Sequence, residues 1–284
     1  MITYRFLNRS DFHTLYDCFI SAYSDYIVPM CLSEKQFEQK LIHENVKLEL
    51  SVGAFDDTEM VGFTINGYRL WRGYLTAYDS GTGVVPKYRH RGIGKELFNF
   101  IIPHLIELGI KQYLLEVITS NLPAVNLYHK LGFQETRMLA VFRSNSLIKQ
   151  PNKTSIAEIL EIRLPDWPLY ESFWDTDPSW QNSIQSVGRI ISERTLLGAY
   201  IKGECVGYGI VSKASGNVLQ LAVAKGHRRK RIGSQILTAL QSKIITNEPL
   251  KVNNVDHETK GTLAFFEANG FNILLNQYEM IKRF

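Results

Sequence analysis

The sequence contains two stretches that follow the same plan. The first is VVPKYRHRGIGKELFNFII at residues 84–102, and the second is VAKGHRRKRIGSQILTALQ at residues 223–241. Each passes from an apolar segment to a short basic loop with glycine, and then to an amphipathic helix. This order brings backbone N–H groups and a helix N-terminus together, and both favour an anion. The sequence therefore predicts a phosphate-binding loop that occurs twice.

The loops belong to a longer internal repeat. Further short segments recur in the same order, residues 53–55 matching residues 198–200 and residues 131–133 matching residues 269–271. Because the matching segments occur in the same order in both halves, they indicate two domains of the same architecture. A polar stretch with a proline at residues 149–153 separates them. We therefore predict one domain at residues 1–150 and a second at residues 151–284.

Both halves alternate strand-like and helix-like segments. The first half has predicted strands at residues 50–55, 60–66, 74–78, 83–86 and 111–118, and predicted helices at residues 92–108 and 123–131. The second half repeats the order with segments at residues 219–223, 232–244, 250–255 and 262–268. We expect Pro103 to kink the first long helix. The alternation predicts an α/β fold.

Composition narrows the class of protein. With 284 residues, 45% of them apolar, the chain can bury substantial cores. No apolar run approaches the roughly 18–20 residues of a membrane span, and no export signal is visible, so we expect a cytoplasmic protein without a membrane partner. Three cysteines without metal-ligand spacing indicate free thiols and no metal site. The net charge of +4 permits an anionic ligand, and we predict no nucleic-acid partner.

The first half resembles the GNAT superfamily of acyl-CoA-dependent N-acyltransferases. The acetyl-CoA loop of that family has Arg or Gln, two residues, Gly, one residue, and Gly or Ala, and here it is Arg89-His90-Arg91-Gly92-Ile93-Gly94. A second family block is Leu115-Glu116-Val117 followed by Asn121, Ala124, Tyr128 and Leu131-Gly132-Phe133. The resemblance implies two tandem domains of α/β (α+β) class, each with a mixed, mostly antiparallel sheet flanked by helices.

The resemblance also implies that acetyl-CoA is the acyl donor and that no metal is required. Backbone N–H groups of the loop would bind the pyrophosphate, and the preceding strand would hold the pantetheine arm and polarise the thioester carbonyl. The cofactor-binding residues implied in this way are Val84, Val85, Arg89, His90, Arg91, Gly92, Ile93, Gly94, Lys95 and Asn121. Asn121 would serve equally well as a helix N-cap, and both roles can hold together.

Acetyl transfer to an amine requires two proton movements. The resemblance implies that Tyr128 protonates the departing thiolate, an uphill step of roughly 2 kcal/mol for a phenol of pKa ~10 and a thiol of pKa ~8.5. An acceptor amine with a lysine-like pKa of ~10.4 also needs a base, and Glu116 and Asp79 are the candidates. We take Glu116 as the base, and Asp79 and Tyr26 as acceptor-binding residues.

Each of these residues also has a purely structural interpretation. Tyr128 would fit as a packed helix tyrosine, and Glu116 as a solvated or paired strand carboxylate. Asp79 begins the segment DSGTG at residues 79–83, whose small polar residues and glycines are typical of a turn. Tyr26 belongs to an aromatic group that could line an acceptor pocket, although core and cross-strand packing is the more common explanation for most of its members.

The second half departs from the family pattern at two positions. Arg231 stands where the first loop has Gly92, and a side chain there would crowd a pyrophosphate lying against the backbone. Phe266 stands at the position of Tyr128 and cannot donate a proton. The resemblance thus implies a working first domain and a degenerate second domain.

Two functions follow from this interpretation. The first is an N-acetyltransferase whose N-terminal domain transfers the acetyl group of acetyl-CoA to a primary amine of a small-molecule or peptide acceptor by direct attack. The alternative is a non-catalytic acyl-CoA-binding or sensor protein whose second domain binds a partner. Arg231 and Phe266 favour the alternative for the second half. The identity of the acceptor is not readable from the sequence.

Overall fold

The computed structural model describes residues 1–28, 30–148, 157–246 and 248–284. They form two compact units, of which the first contains residues 1–137 and 278–284 and the second contains residues 138–277. The predicted domain boundary at residues 150 and 151 lies outside the described residues and stays a prediction.

The first unit combines a mixed sheet with four helices. Its strands are β1 Ile2–Phe6, β2 Val46–Asp56, β3 Glu59–Trp71, β4 Tyr74–Val84 and β5 Gln112–Ile118, and its helices are α1 Phe12–Ala22, α2 Glu34–Glu44, α3 Ile93–Glu107 and α4 Leu122–Lys130. Strands β1 to β4 pair antiparallel in sequence order, whereas β4 and β5 are parallel. Helix α3 continues through Pro103 and buries its apolar stripe against the sheet.

Strand β4 differs from the sequence prediction. Two separate segments at residues 74–78 and 83–86 were expected, but β4 is continuous to Val84. The turn-forming residues between them produce a bulge instead, because Asn66 is opposite Asp79 and Ile65 is opposite Gly81, which leaves Ser80 unpaired in the register. The prediction of two strands was wrong because a bulge and a turn share the same small polar residues.

The second unit repeats this architecture. Its strands are β7 Glu158–Glu161, β8 Arg194–Ile201, β9 Glu204–Ser212, β10 Asn217–Val223 and β11 Lys251–Asp256, and its helices are α5 Trp167–Glu171, α6 Ile184–Arg189, α7 Ile232–Gln241 and α8 Lys260–Ala268. Strands β7 to β10 pair antiparallel, and β10 and β11 are parallel. Helix α7 ends at Gln241, three residues before the predicted end.

Two long strands each contribute to both units. Strand β6, Gln134–Ser144, begins in the first unit and pairs antiparallel with β11 in the second, where Phe142 enters the core. Strand β12, Phe271–Arg283, ends in the first unit next to β5, and its Met280 is fully buried in the first core. Each unit therefore contains a strand segment from the other half of the sequence.

Candidate active site

Strands β4 and β5 of the first unit separate part of the way along, which opens a cleft. They are paired where Thr76 to Tyr78 face Gln112 to Leu114. Beyond this point the strands continue to Val84 and Ile118 without further mutual pairing among the described residues. Backbone groups on the inner edge of β4 are therefore available to a ligand.

Val84 presents one such group. It lies opposite Gly62 in a pair without direct hydrogen bonds, because the next N–H, that of Val85, donates to Val61 O at 3.0 Å. In such a pair the N–H of the central residue points away from the partner strand. The Val84 N–H therefore faces the cleft, as required of a thioester contact, whereas the Val85 N–H is committed to β3.

The loop after β4 has the geometry of an anion site. His90 and Gly92 have positive φ values of 62° and 79°, and α3 begins at Ile93. The first turn of the helix closes when Glu96 N–H donates to Gly92 O at 3.1 Å. The N–H groups of Ile93, Gly94 and Lys95 precede it and have no intrahelical acceptor. They point out of the N-terminus of α3, where a phosphate would bind.

Glycine is favoured at the two loop positions for different structural reasons. A Cβ at Gly92 would meet no heavy atom within 4 Å, so the positive φ, rather than lack of space within the protein, favours glycine there. A Cβ at Gly94 would lie 3.3 Å from Leu127 Cδ2. Gly94 therefore allows close packing of α3 against α4, the helix that carries Tyr128.

The basic side chains of the loop divide into bound and exposed groups. Arg89 donates from Nε to Val84 O at 3.1 Å and from Nη2 to Ala22 O at 2.9 Å, and it pairs with Asp25 through two 2.7 Å bonds. Its donors thus fix the end of β4 to the end of α1. Arg91 and Lys95 are exposed and can approach a phosphate, and Arg91 also donates to Lys87 O at 3.3 Å and lies over the Tyr88 ring.

Tyr128 lies on α4 with 7% of its surface exposed. Its ring meets Phe98 and Phe133 edge to face, with centroid distances of 5.6 and 5.7 Å. Burial, followed by the negative charge of Asp79 and neighbouring tyrosines, raises the Tyr128 pKa well above its ordinary value. The phenol therefore keeps its proton at neutral pH. Protonation of a thiolate is then more uphill than an ordinary phenol would require.

Asp79 sits at the bulge of β4 and is almost fully buried. Its Oδ1 accepts from Gly81 N–H and its Oδ2 from the Thr82 hydroxyl, both at 2.9 Å. Burial raises the pKa of Asp79 to about 7, against the opposing effect of these two hydrogen bonds. The hydrogen bonds that are typical of a turn thus occur at a bulge within β4. With this pKa, the carboxyl group of Asp79 changes its charge near neutral pH.

Glu116 on β5 is a second carboxyl group, and its residue is half-buried. Its Oε2 accepts from the Tyr78 hydroxyl at 2.6 Å, whereas its Oε1 is buried and has no hydrogen-bond partner among the described residues. Burial raises the pKa of Glu116 to about 8, with smaller contributions from the carboxylates of Glu279 and Glu44. A carboxyl group with a free oxygen and this pKa can take up a proton near neutral pH.

Tyr26 and Asn121, which were both predicted as site residues, lie close to each other in the fold. Burial raises the pKa of Tyr26, and the nearby Asn121 side chain opposes this shift. The Asn121 Oδ1 also accepts from Ala124 N–H at 3.4 Å, so the N-cap role is present. Tyr26 contacts the ring of Tyr23 in a T-shaped arrangement with centroids 4.9 Å apart.

The sequence analysis missed a polar group beside these residues. Lys40 and Glu44, one turn apart on α2, form an ion pair of 2.6 Å, and both side chains bond Ser80 on the bulge. Their spacing of four residues is the common spacing of helix ion pairs, which carries no sign of a site. Only the fold shows that α2 brings this pair to β4.

The second unit reproduces the cleft with different side chains. Strands β10 and β11 pair only through Asn217 and Val218 in the described register. Arg228 repeats the role of Arg89, donating to Val223 O at 2.9 Å and pairing with Asp175 at 2.8 Å. At the positions of Glu116, Asn121 and Tyr128, the second unit has Asn254, Thr259 and Phe266.

Three further observations concern membrane-spanning helices, metal-binding groups and cysteine thiols. Among residues 1–28, 30–148, 157–246 and 248–284, no helix is both long and apolar enough to cross a membrane. The same residues contain no group of three or more His, Cys, Asp or Glu side chains that could hold a metal ion. Cys18, Cys31 and Cys205 are free thiols.

A cleft between diverging parallel strands, followed by an anion-binding helix N-terminus, defines the class of acyl-CoA-binding acyltransferase folds. The chain belongs to the GNAT family. The model described as Acetyltransferase (GNAT) family matches residues 12–133, and that described as Acetyltransferase (GNAT) domain matches residues 192–273. Together the two matches cover more than half of the chain, one in each half of the internal repeat.

Curated relatives with similar sequences are named acetyltransferases. Streptothricin acetyltransferase of Streptomyces lavendulae is 34% identical over 30% of this chain and 42% of its own length. N-alpha-acetyltransferase 30 of Dictyostelium discoideum is 34% identical over 34% of this chain and 50% of its own. Spermine/spermidine N(1)-acetyltransferase of Bacillus subtilis is 32% identical over 29% and 58%. The chain thus spans about half the length of these relatives.

Solved structures match the fold of the whole chain. A tandem GNAT protein from the clavulanic acid biosynthesis pathway has a TM-score of 0.72 at 15% identity, covering 100% of this chain and 98% of that one. A GCN5-related N-acetyltransferase from Sphaerobacter thermophilus has a TM-score of 0.71 at 14% identity, covering 99% and 95%. The predicted fold class, two tandem GNAT-like domains with mostly antiparallel sheets, is confirmed.

Proposed function

We propose that the protein is an N-acetyltransferase whose first unit transfers the acetyl group of acetyl-CoA to a primary amine. One observation carries the proposal. The buried Asp79, the cleft-facing Val84 N–H and the anion-binding loop follow one another along β4 and its continuation, and the charge of Asp79 raises the pKa of Tyr128. These are the groups that acyl transfer from a phosphate-bearing thioester requires.

The residues of the first unit fit acetyl-CoA as the acyl donor. The N–H groups of Ile93, Gly94 and Lys95 would bind the diphosphate, and the exposed Arg91 adds positive charge. The Val84 N–H would donate to the thioester carbonyl and stabilise negative charge on its oxygen during attack. Acetyl-CoA supplies the activated acetyl group, and no metal takes part in the proposed reaction.

Glu116 is proposed as the base for the acceptor. Its unpartnered Oε1 takes one proton from the ammonium group, and Tyr78 holds the other carboxyl oxygen. With a pKa of about 8 against ~10.4 for a lysine-like amine, this transfer is uphill by roughly 3 kcal/mol. At pH 7 the Glu116 carboxyl must first lose its own proton, at about 1.4 kcal/mol, so the total equals the ~4–5 kcal/mol needed to have the neutral amine free in water. Glu116 therefore contributes by holding a proton acceptor beside the amine. The neutral amine then attacks the carbonyl carbon directly.

Tyr128 is proposed as the acid for the leaving group. As the C–S bond breaks, its hydroxyl donates a proton to the sulfur of CoA. The second amine proton, released when the C–N bond forms, restores the phenol. The products are the amide and the CoA thiol, and the proton on Glu116 returns to solvent. The raised Tyr128 pKa means that the phenol donates only as the thiolate develops.

The chemistry around the cleft favours a cationic acceptor. Asp79, Glu116 and Glu44 are all buried or half-buried carboxyl groups on this side of the first unit. The relatives are named as a streptothricin acetyltransferase, an N-alpha-acetyltransferase and a spermine/spermidine N(1)-acetyltransferase. A small-molecule or peptide amine is therefore the proposed acceptor class, and the free thiols fit the expected cytoplasmic location.

In this proposal the second unit does not transfer acetyl groups. Asn254 replaces the proposed base and Phe266 replaces the proposed acid, so neither position can exchange a proton. The second unit thus lacks both the proposed base and the proposed acid. These two replacements support a degenerate second domain more strongly than the replacement of glycine by Arg231 does.

The test is CoA release from acetyl-CoA over a panel of amines. The panel contains spermidine, a streptothricin-type antibiotic and a peptide with a free α-amino group. We expect amine-dependent release for at least one acceptor, with loss of about 10²-fold in kcat for Tyr128→Phe. Tyr170→Phe, an equally buried tyrosine of the second unit, is the matched control. Equal rates for wild type and Tyr128→Phe would remove Tyr128 from the mechanism, and no release with any amine would favour the non-catalytic alternative.

A further inference from the structure

A row of polar side chains crosses four adjacent strands of the first unit. Tyr113 on β5 packs its ring against α3, so Glu116, three residues further on, lies on the opposite face of the sheet. On β4, the Tyr78 hydroxyl donates to Glu116. On the other side of β5 lie β12, which carries Glu279, and then β6, which carries Arg137. Two carboxyl groups, each with its own partner, therefore lie on neighbouring strands.

Glu279 is fully buried and is held by a two-bond ion pair. Arg137 donates from Nε to Glu279 Oε1 at 2.9 Å and from Nη2 to Oε2 at 2.6 Å. The Thr136 hydroxyl donates to Oε1 at 3.2 Å, and Arg72 Nη1 lies 3.8 Å from the same oxygen. These contacts fix a charged carboxylate group in the interior of the first unit, on the strand next to Glu116.

The second unit has an apolar residue at the position of this carboxylate. The last matching segments of the internal repeat are offset by 138 residues. This offset relates Met280 to Phe142, and each of them enters the core of the unit that its strand completes. It likewise relates Glu279 to the buried Val141. A buried carboxylate is therefore not needed to complete a unit of this fold.

The charged pair occurs together with the proposed base. At the same offset Arg137 corresponds to Leu275, so the second unit lacks both charges, and it has Asn254 where the first unit has Glu116. Buried ion pairs are a weak source of stability, because the desolvation of two charges offsets most of their attraction. A pair that is present beside Glu116 and replaced beside Asn254 points to a role in the proton chemistry of Glu116.

Groups on four elements act on the charge of Glu116. Burial raises its pKa to about 8, and the Tyr78 hydroxyl on β4 opposes this rise. The negative charges of Glu279 on β12 and Glu44 on α2 raise the pKa further, whereas the positive charge of Arg137 on β6 lowers it. A carboxyl group whose pKa lies close to neutral pH serves better as a base than one that titrates near 4.

We propose that Glu279 and Arg137 are positioning residues for the proposed base. Glu279 holds a fixed negative charge beside Glu116 and thereby strengthens Glu116 as a proton acceptor, and Arg137 keeps the Glu279 carboxylate charged and in place. The last strand of the chain would in this way act on the chemistry of the first unit through Glu116. The inference rests on the proposed function and extends it to two further residues.

The test is a carbon-13 NMR titration of the full chain, labelled at the glutamate carboxyl carbons, which requires no turnover. The Glu116 signal is the one lost in Glu116→Gln, and we expect its wild-type midpoint near pH 8. Glu279→Gln should lower this midpoint by about one pH unit, because a negative charge is removed while Arg137 remains. An unchanged midpoint in Glu279→Gln would overturn the proposal.

A double variant and a control guard against effects of misfolding. The double variant Arg137→Gln with Glu279→Gln leaves no unpaired charge in the interior, and it should lower the midpoint by about half a pH unit. If Glu279→Gln does not fold, an unshifted midpoint in the double variant would overturn the proposal. Asp11→Asn is the matched control, since Arg5 binds the buried Asp11 through two bonds of 2.9 and 2.6 Å. It should leave the Glu116 midpoint unchanged, and a shift as large as that of Glu279→Gln would also overturn the proposal.

The pH profile of kcat/KM separates this inference from the proposed function. If Glu116 is the base, the inflection of the profile should move with the NMR midpoint in Glu279→Gln. A midpoint that moves while the profile stays fixed would contradict Glu116 as the base and leave its coupling to Glu279 established. A midpoint that stays fixed would overturn the role of Glu279, and the activity of Glu116→Gln would still decide whether Glu116 is the base.

Discussion

Arg89 and Asp25 form a two-bond ion pair that joins the anion-binding loop to the end of α1, with both nitrogen–oxygen distances at 2.7 Å. Arg228 and Asp175 form the equivalent pair in the second unit. The pair is kept although the second unit lacks the tyrosine and the glutamate of the first. The arginine of the loop motif therefore shapes the mouth of the cleft independently of the chemistry inside it.

This relationship predicts that Arg89→Met mainly affects stability. Val84 O and Ala22 O would each lose a charged donor, at about 1–3 kcal/mol, and each kcal/mol lowers the melting temperature by roughly 2–4 °C. Scanning calorimetry measures the change. The salt dependence of KM for acetyl-CoA should stay as in wild type, because the guanidinium is already paired.

Arg91→Met is the matched control for this prediction. Arg91 is exposed, so its loss should leave the melting temperature within about 1 °C. It should reduce the salt dependence of KM, because a charge near the phosphates is removed. The opposite pattern, with Arg89 changing the salt dependence and Arg91 the stability, would contradict the assignment.

The pH dependence of acetyl transfer should report Glu116. Because the pKa of Glu116 is about 8, kcat/KM should rise about tenfold per pH unit below that value and level off above it. Glu116→Gln keeps the shape but cannot accept a proton, and we expect about 10²-fold lower activity at pH 8 with this inflection lost. An acceptor whose own pKa lies well away from 8 keeps the two titrations apart. An unchanged profile in Glu116→Gln would exclude Glu116 as the base.

The ionisation of Asp79 should lower protein stability as the pH rises from about 4 to about 7. The folded-state pKa of Asp79 is raised from 3.8 to about 7, so the folded protein holds this proton more tightly than the unfolded chain. Its contribution is full below pH ~4 and is lost as pH rises through 7. Urea unfolding should show wild type losing stability between pH 5 and pH 8 relative to Asp79→Asn, which cannot ionise.

Asp25→Asn is the control for the stability measurement. Pairing with Arg89 lowers the pKa of Asp25, so this group is ionised throughout the window from pH 5 to pH 8. The Asp25→Asn variant should therefore differ from wild type by the same amount at both pH values. A pH-independent difference for Asp79→Asn as well would show that Asp79 is ionised at neutral pH.

The two loop glycines should respond differently to alanine. A Cβ at Gly94 would meet one flexible methyl group of Leu127 at 3.3 Å, whereas a Cβ at Gly233 would lie 2.9 and 3.0 Å from ring atoms of Phe265. Gly94→Ala should thus be nearly neutral, and Gly233→Ala should destabilise by about 1–3 kcal/mol. Urea denaturation of both variants tests this. Equal effects would mean that the ring of Phe265 moves freely.

Local sequence signals predicted the loop, the helices beside it, and the positions of Tyr128 and Glu116 on α4 and β5. They did not predict that residues 278–284 complete the first unit, because strand pairing between distant segments leaves no local pattern. The raised pKa values of Asp79 and Glu116 were also not foreseen, since burial depends on the tertiary fold. The role of the Lys40–Glu44 pair was missed for the same reason.

The central claim is that the first cleft aligns the acyl donor with Tyr128. A crystal structure of the full chain with acetyl-CoA tests it most directly. The account predicts the diphosphate at the N–H groups of Ile93, Gly94 and Lys95, the thioester carbonyl on the Val84 N–H, and the sulfur within hydrogen-bond reach of the Tyr128 hydroxyl. A structure with acetyl-CoA bound in the second unit alone, or with its sulfur turned away from Tyr128, would contradict it.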